Sequence, residues 1–451
     1  MKIILVGGGS IGVSLIGQLQ SEGHDITVID TNPCVIEQLS NTYDVIGYVG
    51  NGASFDVLRA VGISSCDLLI ATADSDELNL LCCFVAHKLG AKNTIARVRD
   101  PEYRKQIPEM KDDLGVAMVV NPEQETANEI FNLINLPSVA QIEYFAKGKA
   151  LLVEIALEKG CLLAGETLIS LGKKLNTKVL ICAVKRGDSV IIPSGNFMLK
   201  EGDKIYLTSD AKALGDFLAE VNLVRSSFKN IMIVGGGRIG FYLADALSKK
   251  KYKVKLIDDS EKDADELAEL LPRVTVVHGN GTQHDMLVEE GIEAMDAFVA
   301  LTDVDEENMI VSMFANKKKV KKTITQIKSD SLYGMLDELG INNNVSPKRI
   351  VTGRIISYIR ALANSRGSNV LTLYKIVNDQ VEALEFSARK REEFYDKPLK
   401  ELKLKENCLI ACIIRNTEVI IPNGNSEIKL GDNVVVVTTH KNFNDLADVF
   451  E

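Results

Sequence analysis

The chain has 451 residues, of which 46% are hydrophobic and 25% are charged, and its formal net charge is −10. That length predicts about three or four domains, and the acidic balance argues against non-specific nucleic-acid binding, which needs a basic surface. No apolar run is long enough to span a bilayer, so we expect a cytoplasmic protein that reaches a membrane only through a partner.

The first predicted strand leads into a glycine-rich turn. Gly7, Gly9 and Gly12 have the spacing G-x-G-x-x-G, and a helical pattern follows at once. Glycines so placed allow a sharp turn, the approach of a pyrophosphate to the backbone, and close packing of the helix on the strand. The N–H groups of the first helical turn, around Ser10 and Ile11, are then expected to face the phosphates. A purely structural glycine turn is the alternative.

An acidic residue stands where the second predicted strand ends. Asp30 follows the apolar run that ends at Ile29. A carboxylate at this place accepts hydrogen bonds from both hydroxyl groups of an adenosine ribose and disfavours a 2′-phosphate. The sequence therefore favours NAD, ATP or ADP over NADP.

Strands and helices alternate up to about residue 122, which predicts a doubly wound parallel sheet of six strands. The predicted strands cover residues 2–6, 25–30, 44–49, 67–72, 93–98 and 116–120, and the predicted helices begin near Ser10, Pro33, Ser54, Asp74 and Pro101. From about residue 137 to 221 the sequence is rich in strand and turn patterns, which predicts a small α+β domain.

The whole two-domain unit is then repeated. Gly235 stands 228 positions after Gly7 (235 − 7), and nine of the 14 residues from Val419 to Asp432 are identical to those from Val190 to Asp203. So long a period indicates two globular modules, because solenoid repeats are much shorter. The predicted domains are 1–122, 137–221, 228–348 and 369–451, and the second predicted nucleotide site contains Gly235, Gly237, Arg238, Ile239, Gly240 and Asp258.

Both halves carry a Gly-Asn-Gly sequence where the third strand ends. Asn51 and Gly52 stand there in the first half, and Asn280 and Gly281 in the second. The carboxyl ends of parallel strands face the ligand crevice, so either asparagine is placed to bond a nucleotide. An ordinary Asn-Gly turn explains the sequence equally well.

The ends of the fourth strands carry small or polar residues. Thr72 in the first half, and Leu301 with Thr302 in the second, fall at this position. A threonine here is expected either to cap the next helix or to contact the ribose. Leu301 stands in the place of Thr72 but has no hydroxyl group, so a polar contact at this position of the second half is in doubt.

The two halves diverge at the fifth strand. Arg97 and Arg99 share one face of the first, where they are placed to meet phosphates, a neighbouring subunit or solvent. The second half has Gln326 and Lys328 instead, and Arg238 replaces Ser10 in the glycine turn. The second site is therefore expected to differ in ligand or affinity.

The remaining polar motifs favour structural roles. The eight cysteines form no C-x-x-C pair, and the alternation of a strand would put Cys408 and Cys412 on one face. We expect reduced core cysteines and no structural metal. The basic run from Lys317 to Lys322 is expected to be a solvated helix end.

These features together resemble the TrkA family, the peripheral cytosolic subunits of Trk potassium uptake systems, which are built from tandem RCK domains. The resemblance rests on the openings KIILVGGGSIG and IMIVGGGRIG, the paired GNG sequences, and the VIIPxGN and GD motifs of the β-rich domains. It covers essentially the whole chain.

The resemblance implies a homo-oligomeric ring beneath a membrane potassium-translocating subunit. It also implies that the shape of the ring changes when NAD(H), ATP or ADP binds. It also implies two Rossmann domains, each followed by a small α+β domain. The β-rich domains show no His-Asp, Tyr-Lys or Cys-His grouping that would serve a dehydrogenase. A non-enzymatic switch is therefore the expectation, and an NAD-dependent oxidoreductase is the alternative.

Overall fold

The computed structural model of the chain describes all residues except 136–140, 146–148, 159, 188, 224–227, 251, 337, 342, 365–369, 378–379, 390–391, 417, 442 and 444. In the described part, two six-stranded parallel sheets alternate along the sequence with two five-stranded antiparallel sheets. None of the helices described there is long and apolar enough to cross a membrane.

The first sheet is parallel, with the strand order β3-β2-β1-β4-β5-β6, so the predicted doubly wound architecture is confirmed. Its strands are β1 Lys2–Val6, β2 Asp25–Asp30, β3 Ile46–Val49, β4 Leu68–Ala71, β5 Thr94–Arg97 and β6 Met118–Val120. Its helices are α1 Ser10–Ser21, α2 Pro33–Thr42, α3 Phe55–Ala60, α4 Asp76–Lys88, α5 Pro101–Leu114 and α6 Pro122–Asn135.

Helices on both faces of this sheet explain why its central strands lack alternation. All four residues of β4 are buried, as are the last four of β1. Such strands read as continuous apolar runs because both of their faces are covered. The strand order reverses between β1 and β4, and the two carboxyl ends define a crevice there.

The second sheet is antiparallel, with the order β10-β9-β11-β8-β7. Its strands are β7 Gln141–Phe145, β8 Ala150–Ala156, β9 Leu180–Arg186, β10 Ser189–Ile191 and β11 Lys204–Ser209, and its helices are α7 Leu168–Lys174 and α8 Ala211–Glu220. This is the small α+β fold that the sequence predicted.

The third sheet repeats the first, with the order β14-β13-β12-β15-β16-β17. Its strands are β12 Asn230–Val234, β13 Lys253–Asp258, β14 Thr275–His278, β15 Ala297–Ala300, β16 Lys322–Gln326 and β17 Asn344–Val345. Its helices are α9 Arg238–Lys249, α10 Glu261–Leu270, α11 His284–Glu289, α12 Asp305–Lys317 and α13 Pro347–Asn364. A 3-10 turn at Tyr333–Met335 stands where the first half has α5.

The fourth sheet repeats the second, with the order β18-β19-β22-β20-β21. Its strands are β18 Val370–Ile376, β19 Val381–Ser387, β20 Cys408–Arg415, β21 Glu418–Ile420 and β22 Asn433–Thr438. Two 3-10 turns, Leu399–Glu401 and Leu446–Val449, stand among the described residues of this region, where the first copy has α7 and α8.

The four sheets group by type rather than by sequence order. One compact unit comprises Met1–Phe131 and Lys229–Ile356, with both parallel sheets, and the other comprises Asn132–Phe228 and Ser357–Glu451, with both antiparallel sheets. The predicted domain starts at 137 and 369 lie outside the described residues. The predicted domain boundaries stay a prediction.

The antiparallel sheets share a hydrophobic core within their unit. Phe145 of β7 meets Tyr374 of β18 edge to face, with ring centroids 5.0 Å apart. The same core includes Ala183 from the first copy and Cys412 from the second, both fully buried. Each antiparallel sheet therefore buries one face against the other copy.

The repeated GD motif is a structural element of these sheets. Asp203 accepts hydrogen bonds from Nε and Nη2 of Arg186, each 2.7 Å long, and from the Lys200 N–H at 2.8 Å. Asp432 accepts the corresponding bonds from Arg415 at 2.9 and 2.8 Å. Bidentate pairing of a buried carboxylate with arginine holds the turn before the last strand in both copies.

The prediction that Cys408 and Cys412 share one face is wrong. The pairing of β20 with β22 shifts between Ile410 and Cys412, which is a β-bulge. The extra residue reverses the alternation, so Cys408 and Cys412 pack into different hydrophobic clusters. All eight cysteines are free, and six of them are buried.

The basic run is only partly the solvated helix end that we predicted. Lys317 ends α12, and Lys318 and Lys321 pair with Glu293 and Asp296 at 2.6 and 2.7 Å. Lys322, however, opens β16 and is 4% exposed, and burial lowers its pKa to about 7. The prediction is wrong for Lys322 because this residue belongs to a strand of the parallel sheet and its side chain is buried there.

Candidate nucleotide-binding sites

The first glycine turn has the geometry that its sequence spacing predicts. The Gly7 N–H donates to the carbonyl of Ile29 at 2.9 Å, and Gly7 has φ +99°. A Cβ on Gly12 would lie 2.3 Å from the Gly7 carbonyl oxygen, whereas a Cβ on Gly9 would meet nothing within 4 Å. Gly7 and Gly12 are thus required by the fold itself. Gly9 leaves open space.

The helix behind this turn begins without a side-chain cap. The Val13 N–H donates to the Gly9 carbonyl at 2.9 Å, which starts α1, and the helix has no side-chain cap in the described part of the chain. Ser10 is exposed, whereas Ile11 turns its side chain into the core. Ile11 therefore offers a ligand only its backbone. An uncapped helix N-terminus that faces open space is suited to an anion.

The second glycine turn repeats this arrangement. Gly235 has φ +104°, and a Cβ on Gly240 would lie 2.2 Å from the Gly235 carbonyl oxygen. A Cβ on Gly237 would meet nothing within 4 Å, and α9 also begins without a side-chain cap. The exposed Arg238 side chain stands on the first turn of α9, and Ile239 beside it is half-buried.

Backbone hydrogen bonds hold both acidic residues beside the glycine turns. Asp30 accepts from the Gly8 N–H at Oδ2 and from the Asn32 N–H at Oδ1, both at 2.8 Å. Asp258 accepts from the Gly236 N–H at 2.6 Å and from the Ser260 N–H at 3.0 Å. Each carboxylate oxygen has a second lone pair, so these bonds orient the carboxylate and leave it able to accept from a ligand.

The Gly-Asn-Gly sequences lie against the end of the first strand in each half. A Cβ on Gly52 would come within 2.3 Å of Val6, and one on Gly281 within 2.5 Å of Val234. The Asn51 Oδ1 accepts from the Ala53 N–H at 2.9 Å, and Asn280 makes the same bond to Thr282. Both asparagines therefore form side-chain turns. Their contact with a nucleotide stays a prediction.

Neither threonine caps the helix that follows the fourth strand, so the capping prediction is wrong. The buried Thr72 hydroxyl lies 3.3 Å from the Val6 carbonyl oxygen, and Ser75 caps α4 instead. In the second half, α12 has no side-chain cap, and the Thr302 hydroxyl bonds to Val304. Leu301 is buried, and its carbonyl group packs on Gly235.

Two guanidinium groups stand at the carboxyl end of β5. Arg97 Nη2 donates to the Ala73 carbonyl at 2.6 Å and lies 3.3 Å from Asp74 Oδ1, and Arg99 Nη2 donates to the Asp74 carbonyl at 2.5 Å. Among the described residues, Nε of Arg97 and Nε of Arg99 have no hydrogen-bond partner.

The Arg97 side chain is only 10% exposed, so its charge is poorly solvated. Burial, and then the charge of Arg99, lower the pKa of Arg97, while Asp74 opposes the shift. A buried cation with an unused donor, beside a second cation, is an arrangement that an anion would stabilise.

The second half has no such pair of arginines. Gln326 occupies the place of Arg97, is 3% exposed, and its Oε1 has no hydrogen-bond partner in the described part of the chain. Lys328 occupies the place of Arg99, and its Nζ pairs with Asp303 Oδ1 at 2.7 Å. The two candidate sites thus share a glycine turn and differ in charge beside it.

Sequence reasoning missed two polar residues that build both sites. The buried Asn79 donates to the carbonyls of Ala73 and Arg97 at 2.9 and 3.0 Å, and Asp76 accepts from the Arg99 N–H at 2.8 Å. Asn308 and Asp305 make the corresponding bonds in the second half. The available signal was the repeat itself, since DELN at 76–79 matches DEEN at 305–308.

The two halves of the compact unit that contains both parallel sheets touch beside both candidate sites. Tyr242, on α9 directly after the second glycine turn, lies with its hydroxyl 3.3 Å from the Arg99 carbonyl oxygen. The second glycine turn and the end of β5 are therefore linked by one side chain. Among the described residues, no group of histidines, cysteines and carboxylates has the arrangement of a metal site.

Family models match most of the chain. The TrkA-N domain matches residues 3–122 and 231–347, and the TrkA-C domain matches residues 152–222 and 385–451.

Two relatives match the chain over nearly its full length. Trk system potassium uptake protein TrkA homolog 1 of Methanosarcina mazei is 30% identical over 445 residues, which are 97% of this chain and 97% of that protein. Trk system potassium uptake protein TrkA of Vibrio alginolyticus is 28% identical over 456 residues, with 100% of this chain and 99% of that protein covered.

Solved structures share the fold. The GsuK channel matches with a TM-score of 0.65 and 20% identity, over 98% of this chain and 77% of that one. The GsuK channel bound to NAD matches with a TM-score of 0.64 and 19% identity, over 98% and 77%. GsuK bound to ADP matches with a TM-score of 0.52 and 16% identity, over 81% and 69%.

Proposed function

This chain belongs to the TrkA family, and we propose that it is the cytoplasmic regulatory subunit of a potassium uptake system. In this proposal it forms a homo-oligomeric ring at the inner face of the membrane, binds nucleotides, and controls a potassium-translocating membrane partner. The names of its full-length relatives support the transport role. The likeness of its fold to the GsuK channel supports control of an ion pathway.

One observation carries the nucleotide part of the proposal. Each parallel sheet has a glycine turn with open space at its middle glycine, an uncapped helix behind it, and a carboxylate held beside it. These three features are the ones that bind the pyrophosphate and ribose of an adenine nucleotide. NAD(H), ATP and ADP fit, whereas a 2′-phosphate would meet the carboxylate of Asp30 or Asp258.

In this proposal each group of residues binds a different part of the nucleotide. The backbone of the glycine turns would hold phosphates, Asp30 and Asp258 would orient the ribose, and Arg97 would neutralise charge at the far end of the first site. Solved GsuK structures are described as bound to NAD and to ADP, which supports ligands of this class.

Regulation then requires that a nucleotide binds one arrangement of the chain more tightly than another. A ligand with equal affinity for two states shifts neither population. Tyr242 joins the second glycine turn to the end of β5. A ligand that moves one of these two elements would therefore shift the other. We propose a switch of this kind and no catalysed reaction.

A flux experiment tests the proposal. Vesicles that contain the Trk-type membrane subunit from the same source are loaded with potassium, and rubidium uptake is measured with and without this chain. We expect NAD(H), ATP or ADP to change uptake only when the chain is present. Nucleotide-independent uptake would contradict the proposal, as would sustained oxidation of NADH coupled to one member of a metabolite panel.

A further inference from the structure

We propose that Gln326 determines the ligand of the second site and selects a dinucleotide whose far end is an uncharged carboxamide, as in NAD(H), over a nucleotide that ends in phosphate. The inference rests on the proposed nucleotide-binding function. It assigns a ligand class to one of the two sites and a specificity role to one side chain.

The sheet topology places Gln326 at the far end of the site. With the strand order β14-β13-β12-β15-β16-β17, a dinucleotide lies across the point between β12 and β15. Asp258 marks the adenosine half, at the end of β13. The other half of the ligand therefore lies over the carboxyl ends of β15 and β16, and Gln326 is the last residue of β16.

The side chain lies on the correct face of the sheet. Thr325 donates to Ser312 of α12, so Thr325 faces α12, and Gln326 beside it faces the opposite side. Right-handed crossovers put α9 and α12 on opposite faces, because the chain leaves the centre of the sheet in opposite directions. Gln326 is therefore on the face of α9, whose uncapped N-terminus borders the glycine turn.

The two buried side chains that follow β15 and end β16 in the second site are uncharged. The buried Gln326 amide has an Oε1 without a hydrogen-bond partner in the described part of the chain, and the buried Leu301 replaces the hydroxyl of Thr72. Lys328, the nearest cation along the chain, is already paired with Asp303. A buried amide satisfies another amide through complementary hydrogen bonds, whereas a terminal phosphate would be buried without a counter-charge.

The first site shows the opposite preference at the same position. Nε of Arg97 and Nε of Arg99 have no hydrogen-bond partner among the described residues, although Arg99 Nε lies 3.9 Å from Asp76 Oδ1. A terminal phosphate would satisfy them, while the positively charged ring of oxidised NAD would be repelled. The exposed Arg238 of the second site lies at the glycine turn, where it serves the pyrophosphate common to both ligand classes.

Single-site chains test this assignment. Gly9→Ala blocks the first site and Gly237→Ala blocks the second, and neither new methyl group meets another atom within 4 Å. ADP, ATP, NAD and NADH are titrated against each chain by calorimetry. We expect the Gly9→Ala chain to bind NAD or NADH at least about tenfold more tightly than ATP, whose third phosphate extends beyond the pyrophosphate, and tenfold is the scale of one charge-assisted hydrogen bond.

A residue exchange then identifies the determinant. In the Gly9→Ala chain, Gln326→Arg is expected to weaken the binding of NAD and strengthen that of ATP, each by about tenfold. In the Gly237→Ala chain, Arg97→Gln is expected to do the reverse, and it provides a second reading if Gln326→Arg does not fold.

The outcomes separate the two proposals. An unchanged ligand order after both exchanges, or tighter binding of ATP than of NAD in the Gly9→Ala chain, would overturn the role of Gln326 and leave nucleotide binding intact. Absence of any nucleotide binding in both single-site chains would overturn the proposed function as well.

Discussion

The two parallel-sheet halves have the same backbone geometry at their glycine turns. They differ in the side chains at the end of the fifth strand, where the far end of a ligand would lie. Their glycine turns are packed alike, since a Cβ on Gly12 or Gly240 would lie 2.3 or 2.2 Å from the carbonyl oxygen of the first glycine of its turn. At the end of the fifth strand, Arg97 corresponds to Gln326. The shared part preserves a fold and a phosphate-binding turn. The divergent part changes the charge beside it.

The largest expected effect tests the shared part. Gly12→Ala and Gly240→Ala each force a Cβ against a backbone oxygen, and overpacking of this kind costs about 3 kcal/mol. We expect equal losses of unfolding free energy in denaturant titrations. Gly17→Ala is the control, because its nearest contact would be 3.9 Å away and alanine favours a helix interior.

If only one of the two substitutions lowered the unfolding free energy, the two glycine turns would not be equivalent. This result would mean that one glycine turn is less tightly packed than the other.

The next effect concerns the antiparallel sheets, where the copies also agree. Burial raises the pKa of Asp203, but the hydrogen bonds and charge of Arg186 outweigh it and hold this pKa below its usual value. A carboxylate with a depressed pKa stabilises the fold above its ordinary pKa of about 4, and that stability is lost as the pH falls through the lowered value. We expect Asp203→Asn to cost about 2 kcal/mol at pH 7 and much less at pH 2.

Denaturant titrations at the two pH values measure this difference. A cost that stays the same at pH 2 would contradict the ion-pair explanation. Asp210→Asn is the control for a general helix-capping loss, since Asp210 accepts only from the backbone N–H groups of α8 in the bonds described.

A smaller effect separates binding from folding. Asp30→Ala and Asp258→Ala remove the proposed ribose acceptor, and we expect each to weaken binding at its own site by about tenfold. Asp25→Ala is the control, because Asp25 lies at the opposite end of β2. Isothermal titration of each variant measures the change. Full affinity after both substitutions would place the ribose elsewhere.

The smallest effect tests a difference between the halves. The Thr72 hydroxyl joins the end of β4 to the Val6 and Gly7 carbonyls at 3.3 and 3.4 Å, whereas Leu301 has no such group. We expect Thr72→Val to cost about 1 kcal/mol of unfolding free energy, with nucleotide affinity unchanged. A large loss of affinity at constant stability would mean that the hydroxyl contacts the ligand.

Local patterns predicted the framework well. The strand ends at Val6 and Asp30, the glycine turn and the repeat are all visible in short stretches of sequence, because they depend on neighbouring residues. The carboxyl-edge position of Asp30 follows from the rule that parallel strands end together.

Features that depend on distant residues were not predictable in the same way. The bulge before Cys412 is set by its pairing with β22. The burial of Lys322 depends on its place in the parallel sheet, where it pairs with Ala297. Grouping of the sheets by type also requires contacts between the two copies. Thr72 has a capping residue type, but Ser75 occupies the cap.

We expect each chain to bind two nucleotides, one at each glycine turn. The number of nucleotides bound per chain tests it most directly, with ADP and NAD together at saturating concentration. We predict two for the natural chain, one for Gly9→Ala or Gly237→Ala, and none for the double variant, all with equal thermal midpoints in the absence of nucleotide. A double variant that still binds two nucleotides would contradict the account.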